Sequence, residues 1–257
     1  MRTKTRFAIC LGTLALLLCC NPGQAAIVFS DSFTYPDGAL TTVSGGTWAN
    51  HSGTAGQVNV VSGQTHLTEA ESEDVNAVIS GGPYTSGKLY AGLDFVFSSL
   101  PQGAGTYFFH FKDSTTSGFR GRVFATIQDA ASGFYRIGIT NGSNTGIVTV
   151  PTDLALNTPH RLVLSLDTGA TPVSTLYLDS PTETGGTVAT DVVTALPITS
   201  IAFRQSTTSG PTTMGVLDVD NLVVSTSYSD AAVVPEPAAL GLLTLCVPAL
   251  SRRKRRA

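Results

Sequence analysis

The chain has 257 residues, of which 13% are charged, and its formal net charge is −3. Eight of the 15 basic residues lie within the first six and the last six positions. Seven basic side chains therefore stand against 18 acidic ones between Asp31 and Glu236, a net charge of −11 for the region between the ends. An acidic surface argues against binding nucleic acid or an anionic polymer through bulk charge, and it favours solubility or divalent cations.

The first 25 residues have the three parts of a secretory signal peptide. Residues 2–6 carry three basic side chains, residues 7–20 are apolar, and small residues up to Ala25 form a cleavage site. We therefore predict a signal peptide over residues 1–25, cleavage between Ala25 and Ala26, and export of the remainder.

The cysteines lie only in the two end segments. The exported region therefore has no disulfide despite an oxidising destination, and burial of a core must stabilise it. The four positions are Cys10, Cys19, Cys20 and Cys246.

The region that follows the signal peptide has the pattern of antiparallel strands. Gly, Ser and Thr are abundant there, helical periodicity is missing, and short alternating or apolar runs are separated by turn signals. We predict strands over residues 27–33, 57–61, 65–68, 77–79, 88–97, 106–111, 121–127, 134–139, 146–150, 160–166, 175–178, 198–204 and 215–225.

These runs predict an all-β fold. Residues 88–97 place every second side chain on one apolar face, and Asn141-Gly142 predicts a type I′ hairpin turn. About a dozen strands without a long helix predict a two-sheet antiparallel β-sandwich over residues 26–224. The small polar residues 225–233 then predict a flexible linker.

The pattern of the last segment, residues 234–257, indicates where the protein is delivered. A Pro-Glu-Pro motif precedes an apolar run over residues 238–250 and a basic end. A helix over that run spans roughly 20 Å, less than the ~30 Å hydrocarbon core, so it is a weak anchor whose basic end stays cytoplasmic. A simple tail anchor is the alternative to a transient stop before cleavage. The motif residues are Val234, Pro235, Glu236, Pro237, Arg252, Arg253, Lys254, Arg255 and Arg256.

This order of motif, short hydrophobic helix and arginine-rich end resembles the PEP-CTERM sorting signal of exported bacterial proteins. The resemblance implies recognition and processing by an exosortase-type membrane protease. It also implies transient anchoring in the inner membrane and delivery to the cell envelope, the cell surface or the extracellular matrix.

The two ends of the central region resemble concanavalin-like or laminin-G-like jelly rolls, which often precede PEP-CTERM signals. Residues 29–40, Gly45-Gly46-Thr47-Trp48 and residues 216–224 carry the resemblance. It implies a jelly roll in which the first and last strands lie side by side.

No catalytic motif is recognisable. The Glu-x-Asp-x-x-Glu pattern of laminarinase-like jelly rolls and Gly-x-Ser-x-Gly are absent, and the four histidines are scattered. The acidic cluster Glu69, Glu71 and Glu73 has no aromatic neighbours and predicts a solvated loop or edge. We therefore expect a non-enzymatic protein.

A structural Ca²⁺ site is one prediction for the central region. Asp218, Asp220 and Asn221 offer oxygen ligands, and Asp31 joins them if the first and last strands are neighbours. The alternative is that Asp218 and Asp220 face solvent while Leu222 points inward after a bulge.

A sugar-binding patch is the second prediction. Sugar binding needs exposed aromatic faces and polar groups that contact hydroxyls. The glycine-rich loop that carries Trp48, Asn50 and His51 offers both. The alternative is that Trp48 fills the end of the sandwich core.

Together these patterns predict an exported, acidic β-sandwich at the cell surface or in the extracellular matrix. We expect it to work by adhesion or by association with extracellular polysaccharide. A glycan-active enzyme with an unrecognised site and a purely structural coat protein are the alternatives.

Overall fold

The computed structural model describes residues 25–206 and 212–233. Within these ranges no helix is both long enough and apolar enough to cross a membrane. In chain order the elements are β1 Ile27–Asp31, β2 Gly38–Ala39, α1 Leu40–Val43, β3 Trp48–Ser52, β4 Asn59–Val61, β5 Gln64–Thr68, β6 Asp74–Val78, β7 Lys88–Ser99, β8 Thr106–Lys112, β9 Phe119–Thr126, β10 Arg136–Thr140, β11 Val148–Thr149, β12 His160–Asp167, β13 Val173–Leu178, β14 Thr187–Val188, β15 Ser200–Arg204, β16 Val216–Ser225 and α2 Tyr228–Ala232.

Two antiparallel sheets contain these strands. The nine-stranded sheet has the order β14-β13-β12-β7-β16-β5-β4-β2, and β1 pairs with the second half of β16 beside β5. The seven-stranded sheet has the order β11-β10-β9-β8-β15-β6-β3. The prediction of an all-β fold with two antiparallel sheets is confirmed. The predicted C-terminal hydrophobic helix and residues 1–24 of the predicted signal peptide lie outside the described residues.

The core lies between the two sheets. On β7 the alternating residues Leu89, Leu93 and Phe95 are at most 1% exposed, as expected for the inner face of a strand. In the other sheet, Phe109 and Phe203 are fully buried on neighbouring strands, with ring centroids 5.4 Å apart. Each such side chain contributes roughly 1.5–3 kcal/mol when buried, so the core can stabilise the fold without disulfides.

The last strand, β16, carries a bulge that sets which side chains face the core. Its register with β7 shifts between Asp220 and Val223, where Asn221 has a φ of 50°. Leu222 is fully buried after the bulge. The predicted inward position of Leu222 and the predicted pairing of the first and last strands are both confirmed.

The predicted linker over residues 225–233 is wrong for the described residues. Ser225 ends β16, and α2 packs on the outer face of the nine-stranded sheet. The ring of Tyr228 in α2 lies edge-on between Tyr90 and Tyr177, with centroids 5.8 and 5.0 Å away. Aromatic packing across three elements therefore holds a segment whose composition indicates a spacer.

The predicted hairpin near Asn141-Gly142 is confirmed in its pairing, because Ile139 of β10 lies opposite Val148 of β11. Its turn type is wrong. A type I′ turn needs a positive φ at both central residues, and neither Asn141 nor Gly142 has one. The reason is tertiary: the carboxylate of Asp191 accepts hydrogen bonds from the N–H groups of both residues.

Candidate functional site

A cleft of about 390 Å³ opens on the outer face of the nine-stranded sheet. It lies where β7, β16 and the start of β12 meet. Alternation turns the apolar side chains of these strands to the core and the polar ones outward, so polar side chains line the cleft. The charged and titratable side chains that line it are Asp94, His160, Arg161, Asp179, Asp218 and Asp220.

Arg161 is the centre of the hydrogen bonds along one wall of the cleft. Its Nη1 donates to Asp94 Oδ1 at 2.8 Å, and the other Asp94 oxygen accepts from Asn221 Nδ2 at 2.9 Å. Its Nη2 donates to the carbonyl oxygens of Ala231 at 2.7 Å and Val233 at 3.1 Å. One guanidinium group thus fixes both the Asp94 carboxylate and the end of α2.

Two histidine–aspartate pairs flank the cleft. His66 Nδ1 lies 2.7 Å from Asp218 Oδ1, and His160 Nδ1 lies 2.7 Å from Asp179 Oδ2. The Asp218 side chain is a third exposed and the Asp179 side chain is half exposed. The pairs therefore orient two carboxylates that remain in contact with solvent.

The fold raises the pKa of Asp220, a carboxyl group of the cleft. Burial raises the pKa of Asp220, and the nearby Asp94 and Asp31 carboxylates add to the rise, while the N–H of Asn221 opposes it. Asp220 lies directly opposite Asp94 in the pairing of β16 with β7. Two carboxyl groups with different surroundings thus sit side by side in the cleft.

The described residues do not assemble the predicted Ca²⁺ site. Asp31 is hydrogen-bonded within the protein, because its Oδ2 accepts from Trp48 Nε1 at 2.7 Å and from the Tyr35 hydroxyl at 2.9 Å. Among residues 25–206 and 212–233, no group of three or more histidine, cysteine, aspartate or glutamate side chains is placed to hold a metal ion. The other predicted ligands, which line the cleft, are Asp218, Asp220 and Asn221.

Trp48 is a core residue, which corrects its predicted place in a ligand patch. It is 1% exposed and belongs to the edge strand β3 rather than to a loop. Its ring stacks on Phe203 with centroids 5.1 Å apart, and the edge of Phe29 approaches it at 5.8 Å. A sugar ring cannot reach a face that the core already covers, and the alternative position at the core is the observed one.

The other two residues of the predicted patch have separate partners. Asn50 is exposed, and its Nδ2 donates to Glu73 Oε1 at 3.2 Å. His51 packs against His110 and Phe119, with ring centroids 6.4 and 6.0 Å away. Burial lowers the pKa of His51 to about 4. The three predicted residues therefore do not form one surface.

Glu73 is fully buried, which corrects the prediction that the acidic cluster is a solvated loop or edge. Its Oε2 accepts hydrogen bonds from the backbone N–H groups of Gln57 at 2.6 Å and Val58 at 2.7 Å. A carboxylate is tolerated at such a depth only when hydrogen bonds satisfy it. Glu73 therefore ties the segment before β4 to the start of β6.

Sequence reasoning missed four residues of the cleft, namely Asp94, His160, Arg161 and Asp179. They come from β7, β12 and the residue after β13, so no local spacing connects them. The available signal was a charged residue on the outer face of an otherwise apolar strand, as with Asp94 between Leu93 and Phe95.

Comparisons with known proteins give structural likenesses only. No protein-family model matches the chain, and no curated protein matches it. Domain 4 of AbnA, an extracellular arabinanase of Geobacillus stearothermophilus solved with arabinotriose, is 16% identical, with a TM-score of 0.48 over 81% of this chain and 99% of that one. Basic winged bean lectin with Tn-antigen is 13% identical, with a TM-score of 0.48 over 79% and 98%. An alginate lyase from Alteromonas sp. 272 is 9% identical, with a TM-score of 0.49 over 72% and 96%. Likenesses at this level carry no argument about what this chain binds.

Proposed function

We propose that this chain is an exported, non-enzymatic protein of the cell surface or extracellular matrix that binds neutral polysaccharide through the cleft on the nine-stranded sheet. The observation that carries the proposal is the set of polar groups that the fold holds in fixed positions there. The only phenylalanine, tyrosine or tryptophan among the described residues of the lining, Phe95, is buried, so hydrogen bonds from sugar hydroxyls to these polar groups carry the proposed binding. A cleft of about 390 Å³ is large enough for a small part of a chain.

The charge of the cleft favours a neutral ligand. Four carboxyl groups and one guanidinium group line it, and that guanidinium is already paired with Asp94. A carboxylate-bearing polymer would meet repulsion there, whereas uncharged hydroxyls can donate to Asp218 and Asp220.

Export and sorting remain predictions of the sequence. They rest on the signal peptide before Ala26 and on the resemblance of residues 234–257 to a PEP-CTERM signal. Under the proposal, an exosortase-type protease removes that segment after transient anchoring in the inner membrane. Pulse labelling in a bacterium with and without an exosortase tests this: the strain with an exosortase is expected to show a precursor and a lighter product, and the strain without one is expected to show the precursor alone.

Binding is tested with the full-length protein and four soluble neutral polysaccharides: β-glucan, galactomannan, arabinan and dextran. At least one is expected to bind, and Asp220→Asn is expected to weaken it about tenfold or more, because a hydrogen bond to a charged group is lost. Asp129→Asn, the same change on an exposed turn, is the control. Equal binding by both variants contradicts the assignment of the cleft. Binding of none of the four favours a structural coat protein.

A glycan-active enzyme is the second candidate, and the opposed pair of Asp94 and Asp220 favours it. Glycoside hydrolysis needs one carboxyl group that donates a proton and one that is ionised, and the raised pKa of Asp220 suits the first role. Reducing ends measured after incubation with the same polysaccharides decide between the two. Release that Asp220→Asn abolishes establishes the enzyme, and no release keeps the binding protein.

A further inference from the structure

The basic side chains of the described residues fall into two groups. Four have a carboxylate oxygen within 4.0 Å, and three have none among the described residues. The paired residues are Lys88, Arg136, Arg161 and Arg204, the last at 3.9 Å from Asp74. The three without such a partner are Lys112, Arg120 and Arg122.

Two of these three cations, Lys112 and Arg122, share one face of the protein. Together with Arg204 they lie on the adjacent strands β8, β9 and β15, on the outer face of the seven-stranded sheet, because the residue next to each of them in sequence packs in the core. Arg120 is not part of this face: it lies opposite the core residue Phe111, and its Nε donates to the carbonyl oxygen of Thr194 at 2.9 Å. Lys112 is 4% exposed, and Arg120 and Arg122 are each 9% exposed. Five of the seven basic residues in an acidic domain thus lie on strands of the sheet opposite the cleft, the fifth being Arg136 of β10.

Two of the guanidinium groups lie against the same aromatic ring. The Cζ atoms of Arg122 and Arg204 lie 4.6 and 4.4 Å from the centroid of Tyr107. Attraction to the ring stabilises each cation by about 0.5–2 kcal/mol, but two like charges also repel across it. Burial lowers the pKa of Arg122, and the Arg204 charge contributes to that fall.

Buried polar atoms without hydrogen-bond partners among the described residues lie in the same cluster. Within that part of the chain, neither ring nitrogen of the fully buried His110 has a partner, and the same holds for both ring nitrogens of His51 and for Nε of Arg122. The His110 ring centroid is 5.4 Å from that of Tyr107. Each such atom costs about 1–3 kcal/mol when it is left unsatisfied, so the cluster gains from an added acceptor.

The nearby acids do not supply that acceptor. The Asp113 carboxylate accepts from the N–H and hydroxyl of Thr115 at 2.8 and 2.6 Å. The Asp191 carboxylate accepts from the N–H groups of Gly142 and Ser143 at 3.0 and 2.9 Å. Asp113 is thus satisfied within its own loop, and Asp191 is satisfied by the loop that follows β10.

The cluster is accessible at its rim. Nη1 of Arg122 donates to Oδ1 of Asn144, a neutral acceptor on an exposed turn. The Arg204 side chain is 24% exposed. A carboxylate that replaces the Asn144 amide gives a charge-assisted hydrogen bond, which is roughly twice as strong as one between neutral groups.

We propose that the outer face of the seven-stranded sheet is a second binding surface, which takes the carboxylate groups of an acidic polysaccharide on Arg122, Arg204 and Lys112. The planar fork of a guanidinium matches a carboxylate. The cations lie on three adjacent strands that span about 10 Å, so an extended polymer can present more than one acidic group to them. This surface lies on the other sheet from the cleft and does not depend on it.

The test uses the full-length protein with polygalacturonate and with its methyl-esterified form, which has the same backbone and no charge. Polygalacturonate is expected to bind about tenfold more tightly or better, since hydrogen bonds to charged groups are lost in the ester. Arg204→Gln and Lys112→Gln are each expected to weaken binding about tenfold, whereas Lys88→Gln on the other sheet removes the same charge without effect. Thermal melts check that each variant is folded. Arg204 is the least buried of the three cations, so Arg204→Gln disturbs the packing least.

Equal affinity for both polymers, or no binding of polygalacturonate, overturns the proposal. So does an equal loss in Lys88→Gln and Arg204→Gln, which would indicate bulk charge alone. Asp220→Asn is expected to keep its affinity for polygalacturonate. If the protein binds only a neutral polysaccharide, the second surface is refuted and the proposal for the cleft stands. If it binds only polygalacturonate, the proposal for the cleft is refuted and the second surface stands.

Discussion

Carboxylates hold loops against strands throughout this domain. Asp31, Glu73 and Asp191 each accept several hydrogen bonds. The sequence predicts a metal ligand at Asp31 and a solvated position for Glu73, and it indicates no role for Asp191, because exposure is the usual expectation for an acid. Glu73 bonds to N–H groups 15 and 16 residues away, and Asp191 to groups 48 and 49 residues away, so local pattern cannot reveal the partners.

Glu73→Ala is expected to lower the free energy of unfolding by about 3 kcal/mol, because it leaves the buried N–H groups of Gln57 and Val58 without an acceptor. Urea unfolding followed by the fluorescence of Trp48, the single tryptophan, measures the change. Glu71→Ala, the same substitution at a less buried position, is the control and is expected to cost no more than about 0.5 kcal/mol. Equal losses would refute a structural role that is specific to Glu73.

His51 is expected to make stability depend on pH. Its folded pKa of about 4 lies below the unfolded value of 6.5, so the unfolded chain binds a proton in this range that the folded chain does not. Stability from this group is complete above pH 6.5 and falls towards pH 4, by up to about 1.4 kcal/mol per pH unit.

The comparison with His51→Gln isolates this contribution, since Asp74, whose pKa burial raises to about 6, is common to both proteins and acts in the opposite direction. The wild type is expected to lose stability relative to the variant between pH 6.5 and 4 in urea unfolding. Parallel curves would show that His51 is not held neutral.

At the scale of elements, α2 is the part that the sequence could not place. α2 can pack closely against β7 because Gly92 has no side chain: an added Cβ would lie 1.8 Å from the carbonyl oxygen of Ala231. The partner of α2 therefore lies more than 130 residues away in sequence. By contrast, the alternation in β7 is a local property, and it predicts both the strand and its inner face.

Gly92→Ala is expected to displace α2 and to lower the free energy of unfolding by about 1–3 kcal/mol, because backbone atoms cannot yield as a side chain can. Amide exchange of the peptide that contains Tyr228 is expected to speed up. Gly169→Ala is the control, since its added Cβ meets only the end of the Asp167 side chain at 3.1 Å. Unchanged protection of α2 in Gly92→Ala would contradict the close packing of α2 on Gly92.

Edge strands set the limit of prediction in the same way. β3 was missed because its glycine-rich approach and polar residues resemble a loop, yet it pairs with β6 and carries Trp48 into the core. Of the residues in the candidate site, the sequence predicts a role only for Asp218, Asp220 and Asn221. Their partners on β7 and β12 become neighbours only through the order of strands in the sheet.

At the scale of the whole molecule, the two outer sheet faces differ in charge. The nine-stranded sheet presents an acidic cleft, whereas five of the seven basic residues lie on strands of the seven-stranded sheet. The two ends of the described chain also meet: the N–H of Thr226 donates to the carbonyl oxygen of Ala26 at 3.0 Å. Under the proposals above, such a molecule joins a neutral polymer on one face to an acidic polymer on the other.

The central claim is that the cleft is a polysaccharide-binding site, and hydrogen exchange of the full-length protein with each of the four neutral polysaccharides tests it most directly. The account predicts slower exchange in the peptides that contain Asp94 of β7 and Asp220 of β16, and no change in the peptide that contains Arg122 of β9. Unchanged exchange at Asp94 and Asp220 with a polysaccharide that binds, or protection confined to other strands, would contradict it.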